Sequence, residues 1–348
     1  MLRLSVLLTW AFASAGFAFQ STGAALGGPL LGLVLDAPSG VLLPVHGVPG
    51  AAALGEPLEA GARIVRAAMS PRHDSALAVA DDGRLLHVRL PGGSLETAPV
   101  DGLPPAPDRI EYSPSGSTAA LSYAGKVELL RGLPDAPYQA GSIDLTPLGS
   151  AVSALAVSDD GAVLAAFAEP DGSPVFLAGV SDPPRLVLST SHAAALAFAP
   201  GGADAIVADD RENTVQVLRE VSGAAAALRI AGPEAGIAGP TAVALSAGRA
   251  YVANAASGTV AVIDLVSGAS KTIACGCRPS TLAPLAGGAL RLTEPGDGPL
   301  WLLDADRDGR PYFIPARAGR EAPGGGVRAR AGNGRDFIPA PVGKDAVR

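Results

Sequence analysis

Short apolar runs alternate along the chain with clusters of Gly, Ser, Asp, Asn and Pro, and no stretch shows the helical spacing of an amphipathic face. The clearest unit covers residues 240–276. PTAVALS is followed by AYVANA and TVAVIDL across the turn ASG, and then by SKTIACG, which predicts four strands. The same rhythm returns in AAMSPRHDSALAVADDG, RIEYSPSGSTAALSYAG, SALAVSDDGAVLAAFA and ALAFAPGGADAIVADD. Small-residue turns anchor the repeat at Gly27, Ser70, Ser113, Ser158, Ala199, Ser246 and Ala286, a period of about 43 residues. A period of this length, built from strands without helices, predicts an all-β, seven-bladed β-propeller of four-stranded antiparallel blades. Alternation of period two predicts strands buried on one face. Closure is expected through pairing of the N-terminal strand region with the last blade.

Composition sets the limits of this domain. Hydrophobic residues make up 48% of the chain and charged residues 17%, enough apolar material for a large core. Residues 1–18 carry Arg3, an apolar stretch and small-x-small triplets ending at Ala15 and Ala18, the layout of a signal peptide. The mature chain is therefore expected to be secreted or periplasmic, without a membrane span. The propeller is assigned to residues 19–316. Residues 317–348 are rich in Gly, Pro and Arg, lack apolar periodicity, and are expected to form a disordered tail. The net charge is −7, yet the tail is basic, so the propeller itself is the more acidic part. That balance argues against a nucleic-acid partner. A monomer is expected.

Tyr251 to Gly268, YVANAASGTVAVIDLVSG, resembles a unit of the YVTN family of propeller repeats, and IVADDRENTVQVLREVSG keeps the second half of that pattern. The resemblance covers about forty residues. It implies a secreted bacterial propeller of the NHL and lactonase-like kind, with no specific activity attached. Propeller lactonases collect acidic, Asn, Arg and His groups from separate blades at the channel mouth. By that likeness the candidates here are Asp82, Arg109, Asp171, His192, Asp210, Asn254 and Arg278, all placed by the repeat on loops or strand ends near one face.

Other chemistry is sparse. The four histidines, His46, His73, His87 and His192, have no metal-ligand spacing, and no Gly-x-Ser-x-Gly or phosphate-binding loop occurs. Trp301, flanked by Leu300 and Leu302, suits the core better than a sugar platform. Asp304, Asp306 and Asp308 open like a calcium loop, but Pro315 stands where the bidentate Glu would be, so they read as an acidic turn or a structural calcium site. No other cofactor is expected. Cys275 and Cys277 form Cys-Gly-Cys and are candidates for a local disulfide. The reading these features favour is a non-enzymatic binding or scaffold module, taking a protein, peptide or small envelope ligand on its loop face. The alternative is a lactonase-like hydrolase, metal-assisted or not, at the channel mouth.

Overall fold

The computed structural model describes residues 28–316 apart from 92–93, 150, 297 and 307–308. The leader, the tail, Gly27 and Asp308 lie outside the described residues. The first sheet contains β1 (Leu30–Asp36), β2 (Val41–His46) and β3 (Ala53–Leu54). The second contains β4 (Ile64–Met69), β5 (Ser75–Ala80), β6 (Leu85–Arg89) and β7 (Glu96–Pro99), and the third β8 (Arg109–Tyr112), β9 (Thr118–Tyr123), β10 (Lys126–Arg131) and β11 (Tyr138–Asp144). The fourth contains β12 (Val152–Val157), β13 (Val163–Phe167), β14 (Ser173–Ala178) and β15 (Arg185–Thr190), and the fifth β16 (Ala193–Phe198), β17 (Ala205–Asp209), β18 (Thr214–Arg219) and β19 (Ala226–Ala231). The sixth contains β20 (Pro240–Ser246), β21 (Arg249–Asn254), β22 (Thr259–Asp264) and β23 (Ser270–Ala274), and the seventh β24 (Ala283–Leu285), β25 (Ala289–Arg291), β26 (Leu300–Asp304) and β27 (Arg310–Ile314). Each sheet is an antiparallel meander, and the seven together form a β-propeller.

The second strands are not half-buried as the alternation suggests. Every residue of β5, β13 and β17 is buried, and β9 and β21 each have one terminal exception. Each of these strands lies inside its blade and between two neighbouring blades, so both faces of the pleat are covered. Continuous runs such as SALAVA and VLAAF supply the apolar side chains this requires. The first strands, rich in alanine, are only partly covered because they line the central channel.

Closure also departs from the expectation. All four strands of the last blade are consecutive, so the N-terminal strands have no place in that sheet. Instead Leu31, Val34 and Val45 of the first blade pack against Leu285, Leu300 and Leu302 of the last. The Ala286 N–H donates to Leu31 O at 2.7 Å across the same seam. The ring closes by side-chain burial.

Among the described residues the first blade has three strands, and they correspond to the second, third and fourth strands of the others. Gly47 N–H donates to Pro29 O at 2.8 Å, just ahead of β1. Leu265 N–H donates in the same way to Gly248 O ahead of β21, at 3.0 Å, and Ala305 N–H to Gly288 O ahead of β25, at 2.9 Å. Leu58 N–H meets Leu42 O as Val100 N–H meets Leu85 O, at 2.8 and 2.9 Å.

The turns between first and second strands repeat one hydrogen-bond pattern. Gly116, Gly161 and Gly202 donate N–H to the carbonyls of Ser113, Ser158 and Ala199 at 2.9, 3.1 and 2.9 Å. Their φ values are 75°, 88° and 73°. In the second blade His73 takes this left-handed position, at φ 65°, with its N–H on Ser70 O at 2.9 Å. A side chain there costs about 1–2 kcal/mol, which only glycine avoids. We therefore expect Gly202→Ala to destabilise the protein by about 1–2 kcal/mol in chemical denaturation. His73→Gly should stabilise it by up to about 1 kcal/mol.

Candidate functional site

One end of the propeller carries the loops between second and third strands together with the links between blades. Asp82, Asp171 and Asp210 belong to the former, His192 and Arg278 to the latter, while Arg109 begins β8 and Asn254 ends β21. The topology therefore puts all seven sequence candidates at the same end, spread round the ring with only His192 and Asp210 sharing a blade. Most are committed locally. Asp82 accepts the Arg84 backbone N–H at 3.0 Å and its Nε–H at 2.6 Å. Those two hydrogen bonds hold its carboxyl below the ordinary range. Arg109 Nε–H donates to Val152 O at 3.3 Å, bridging the third and fourth blades at the channel. Asp171 and Arg278 are exposed.

Asn254 presents nothing to a ligand. Its side chain is fully buried, its Oδ1 accepts Ala238 N–H at 3.1 Å, and its Nδ2 donates to Gly236 O at 3.2 Å. The amide is needed to hold the link that leads into β20.

The one pair that the fold brings together from this set is His192 and Asp210, with Nδ1 and Oδ1 2.6 Å apart and both side chains about a third exposed. Asp209, which the sequence reading passed over, builds the platform beneath them. It is buried, its Oδ2 accepts Ser191 and His192 N–H at 2.7 and 3.2 Å, and its Oδ1 accepts Arg211 and Glu212 N–H at 2.9 Å each. A signal for it was present: IVAD in the fifth blade aligns with YVAN in the sixth, placing Asp209 where Asn254 stands. The two residues do the same work at the end of the second strand.

Asp304 and Asp306 lie at the opposite end, the first closing β26 and the second just after it. Asp304 is buried and its Oδ1 accepts Asp306 N–H at 3.1 Å, while the Asp306 carboxylate sits against Gly288. Among the described residues no group of three His, Cys, Asp or Glu side chains converges to hold a metal ion. Cys275 and Cys277 are joined as a disulfide with a Cα–Cα distance of 5.2 Å, in the link between the sixth and seventh blades. Gly276 between them has φ 68°, and a Cβ there would meet the Trp301 ring at 3.2 Å. Trp301 is half-buried and packs on Phe313, with ring centroids 5.4 Å apart.

The channel is a cavity of about 920 Å³ walled largely by Ala, Leu and Val. Glu111 and Arg109 enter it from β8, and His73 and the Arg291–Glu294 pair lie along its wall. Burial pushes the Glu111 carboxyl up to about 7, opposed by the nearby Arg109 charge. Glu111, unlike Asp209, stands in no sequence motif that would single it out.

No protein-family model and no curated protein matches the chain. Solved structures do. A functionally unknown protein from Desulfotomaculum acetoxidans is similar with 14% identity over 83% of this chain and 100% of that one, at a TM-score of 0.59. A protein from Lactobacillus plantarum is similar with 15% identity over 82% and 96%, at 0.55. The Cps50 (Swd1) β-propeller domain of Myceliophteria thermophila is similar with 12% identity over 73% and 87%, at 0.52. At such identities the likeness extends to the fold and no further.

Proposed function

We propose that the protein is an exported binding module, without catalytic activity, that takes a protein or peptide partner on the end bearing Asp82, Arg109, Asp171, His192, Asp210 and Arg278. The observation that carries this reading is the dispersal of those groups. Apart from the His192–Asp210 pair of the fifth blade they stand on separate blades, with both signs of charge interspersed, and they do not gather around one reacting point. Such a rim suits recognition over a broad surface, on loops held by a rigid scaffold. The Cys275–Cys277 disulfide supports the exported part of the reading, since such bonds persist in oxidising compartments.

Photo-crosslinking residues placed at Asp171 and Arg278 test the binding face. Cross-linked adducts in cells of the native host are expected from these positions and not from Val266, which is exposed at the opposite end. Adducts from Val266 alone would overturn the reading. So would turnover of lactone or ester substrates that is lost in His192→Ala.

The channel carboxyl gives a second, independent measurement. Burial favours the protonated form of Glu111, so the folded state binds more protons than the unfolded state between 4.5 and about 7. Its contribution to stability is therefore intact at acid pH and declines as pH rises through that window. In Glu111→Gln this decline should vanish, leaving the variant more stable than the parent by on the order of 1–3 kcal/mol at about pH 8 and unchanged at about pH 4. Urea denaturation at the two pH values reads the difference.

A further inference from the structure

The repeat gives each position on the channel wall a set of counterparts in other blades, and one residue departs from its set. Two places ahead of their anchors the described first strands carry Ala68, Ala156, Ala197, Ala244 and Pro284, but in the third blade Glu111. All six line the same cavity. A level of small apolar groups is thus broken by one carboxyl, half-buried at the wall of a space of about 920 Å³.

Among the described residues no hydrogen bond and no ion pair reaches the Glu111 carboxylate, and the one charge felt beside it is Arg109. That cation has a task of its own. Arg109 Nε–H donates to Val152 O at the start of the fourth blade, at 3.3 Å. Arg66 holds the equivalent place in the second blade and donates from Nη1 to Pro107 O, ahead of the third. Both arginines tie their blade to the next, although Arg66 is followed on its strand by Ala68 and not by a glutamate. Bridging the blades therefore does not call for Glu111.

We propose that the channel is a binding site for a small organic cation, a protonated amine on an apolar body, with Glu111 as its counter-ion. The volume suits such a ligand, because small-molecule sites span about 300–1,000 Å³ and are mostly apolar, with a few placed polar groups. Alanine at the level of Glu111 leaves room for the apolar body, and Leu and Val side chains along the wall cover it. Charge selects the head group. A carboxylate screened from water and left without a partner is costly, and an ammonium beside it supplies both the opposite charge and the missing donors. Folding has already desolvated the carboxyl, so the ligand finds its partner preorganised. Burial also pushes Glu111 up to about 7, as befits a carboxyl without hydrogen-bond donors. The site lies inside the ring and does not depend on a partner docked at the rim.

Calorimetric titration of the full exported chain with hexylamine, hexanol and hexanoate tests the proposal. It is done at about pH 8, where Glu111 is ionised and the amine protonated. The parent should bind the amine at least about tenfold more tightly than the alcohol of equal length, and hexanoate more weakly than either. In Glu111→Gln that preference should shrink to about twofold or less while the alcohol binds as before. This variant is the more stable one at that pH, so loss of amine binding does not reflect unfolding. Failure of the parent to bind the amine, or equal affinity for amine and alcohol, would overturn the proposal. An amine preference that survives in Glu111→Gln would do the same, by placing the cation on the acidic exterior. Preferred binding of hexanoate would instead assign the channel to anions held by Arg109.

Discussion

A strand buried on both faces can exist only between two neighbouring sheets, and the second strands of this protein impose that condition all round the ring. Each fully buried Val, Leu or Phe on such a strand is worth about 1.5–3 kcal/mol relative to exposure, and that burial depends on contacts made with the next blade. A single blade would lose it. The seam between first and last blades is therefore as necessary as any other, even though among the described residues no sheet crosses it. Leu31, Val34 and Val45 against Leu285, Leu300 and Leu302 make the seam a stretch of ordinary core. The Ala286 to Leu31 hydrogen bond fixes its register.

The architecture was legible because its signals are local and repeated. Ser70, Ser113 and Ser158 mark equivalent turns, and their hydroxyls accept N–H from Arg72, Thr118 and Ala162 within the turn. Recurrence of that chemistry at a fixed period identifies blades without knowledge of any long-range contact. What alternation could not convey was the double burial of β5, β13 and β17, since an alanine in SALAVA serves equally on a channel wall or between two sheets. Only the stacking of blades separates those cases. Closure was misjudged for a related reason: whether the first and last strands share a sheet depends on how many strands the last repeat completes for itself.

The candidate site was legible to a lesser extent. Repeat position was enough to gather seven residues at one end, because loop position follows directly from strand order. It did not reveal which side chains would turn inward. Asn254 and Asp210 look alike in sequence, each polar and each near the end of a second strand, yet one residue of register separates a backbone-capping group from an exposed one. Glu111 shows the same limit in the channel, where its environment is built by strands of other blades.

That register gives the end of the second strand a dual character. Its last residue, Asp209 or Asn254, must satisfy the N–H groups that lead into the first strand, because those groups are half-buried and water reaches them poorly. The next residue along, Asp210 or Ala255, has no such duty and faces the rim. Recognition chemistry on this scaffold can therefore change at the outer position without touching the hydrogen bonds that hold the blade, while a change at the inner one alters the fold first. His192 depends on both: Asp209 fixes its backbone and Asp210 orients its ring. A substitution at Asp209 would therefore disturb the His192–Asp210 pair through the backbone.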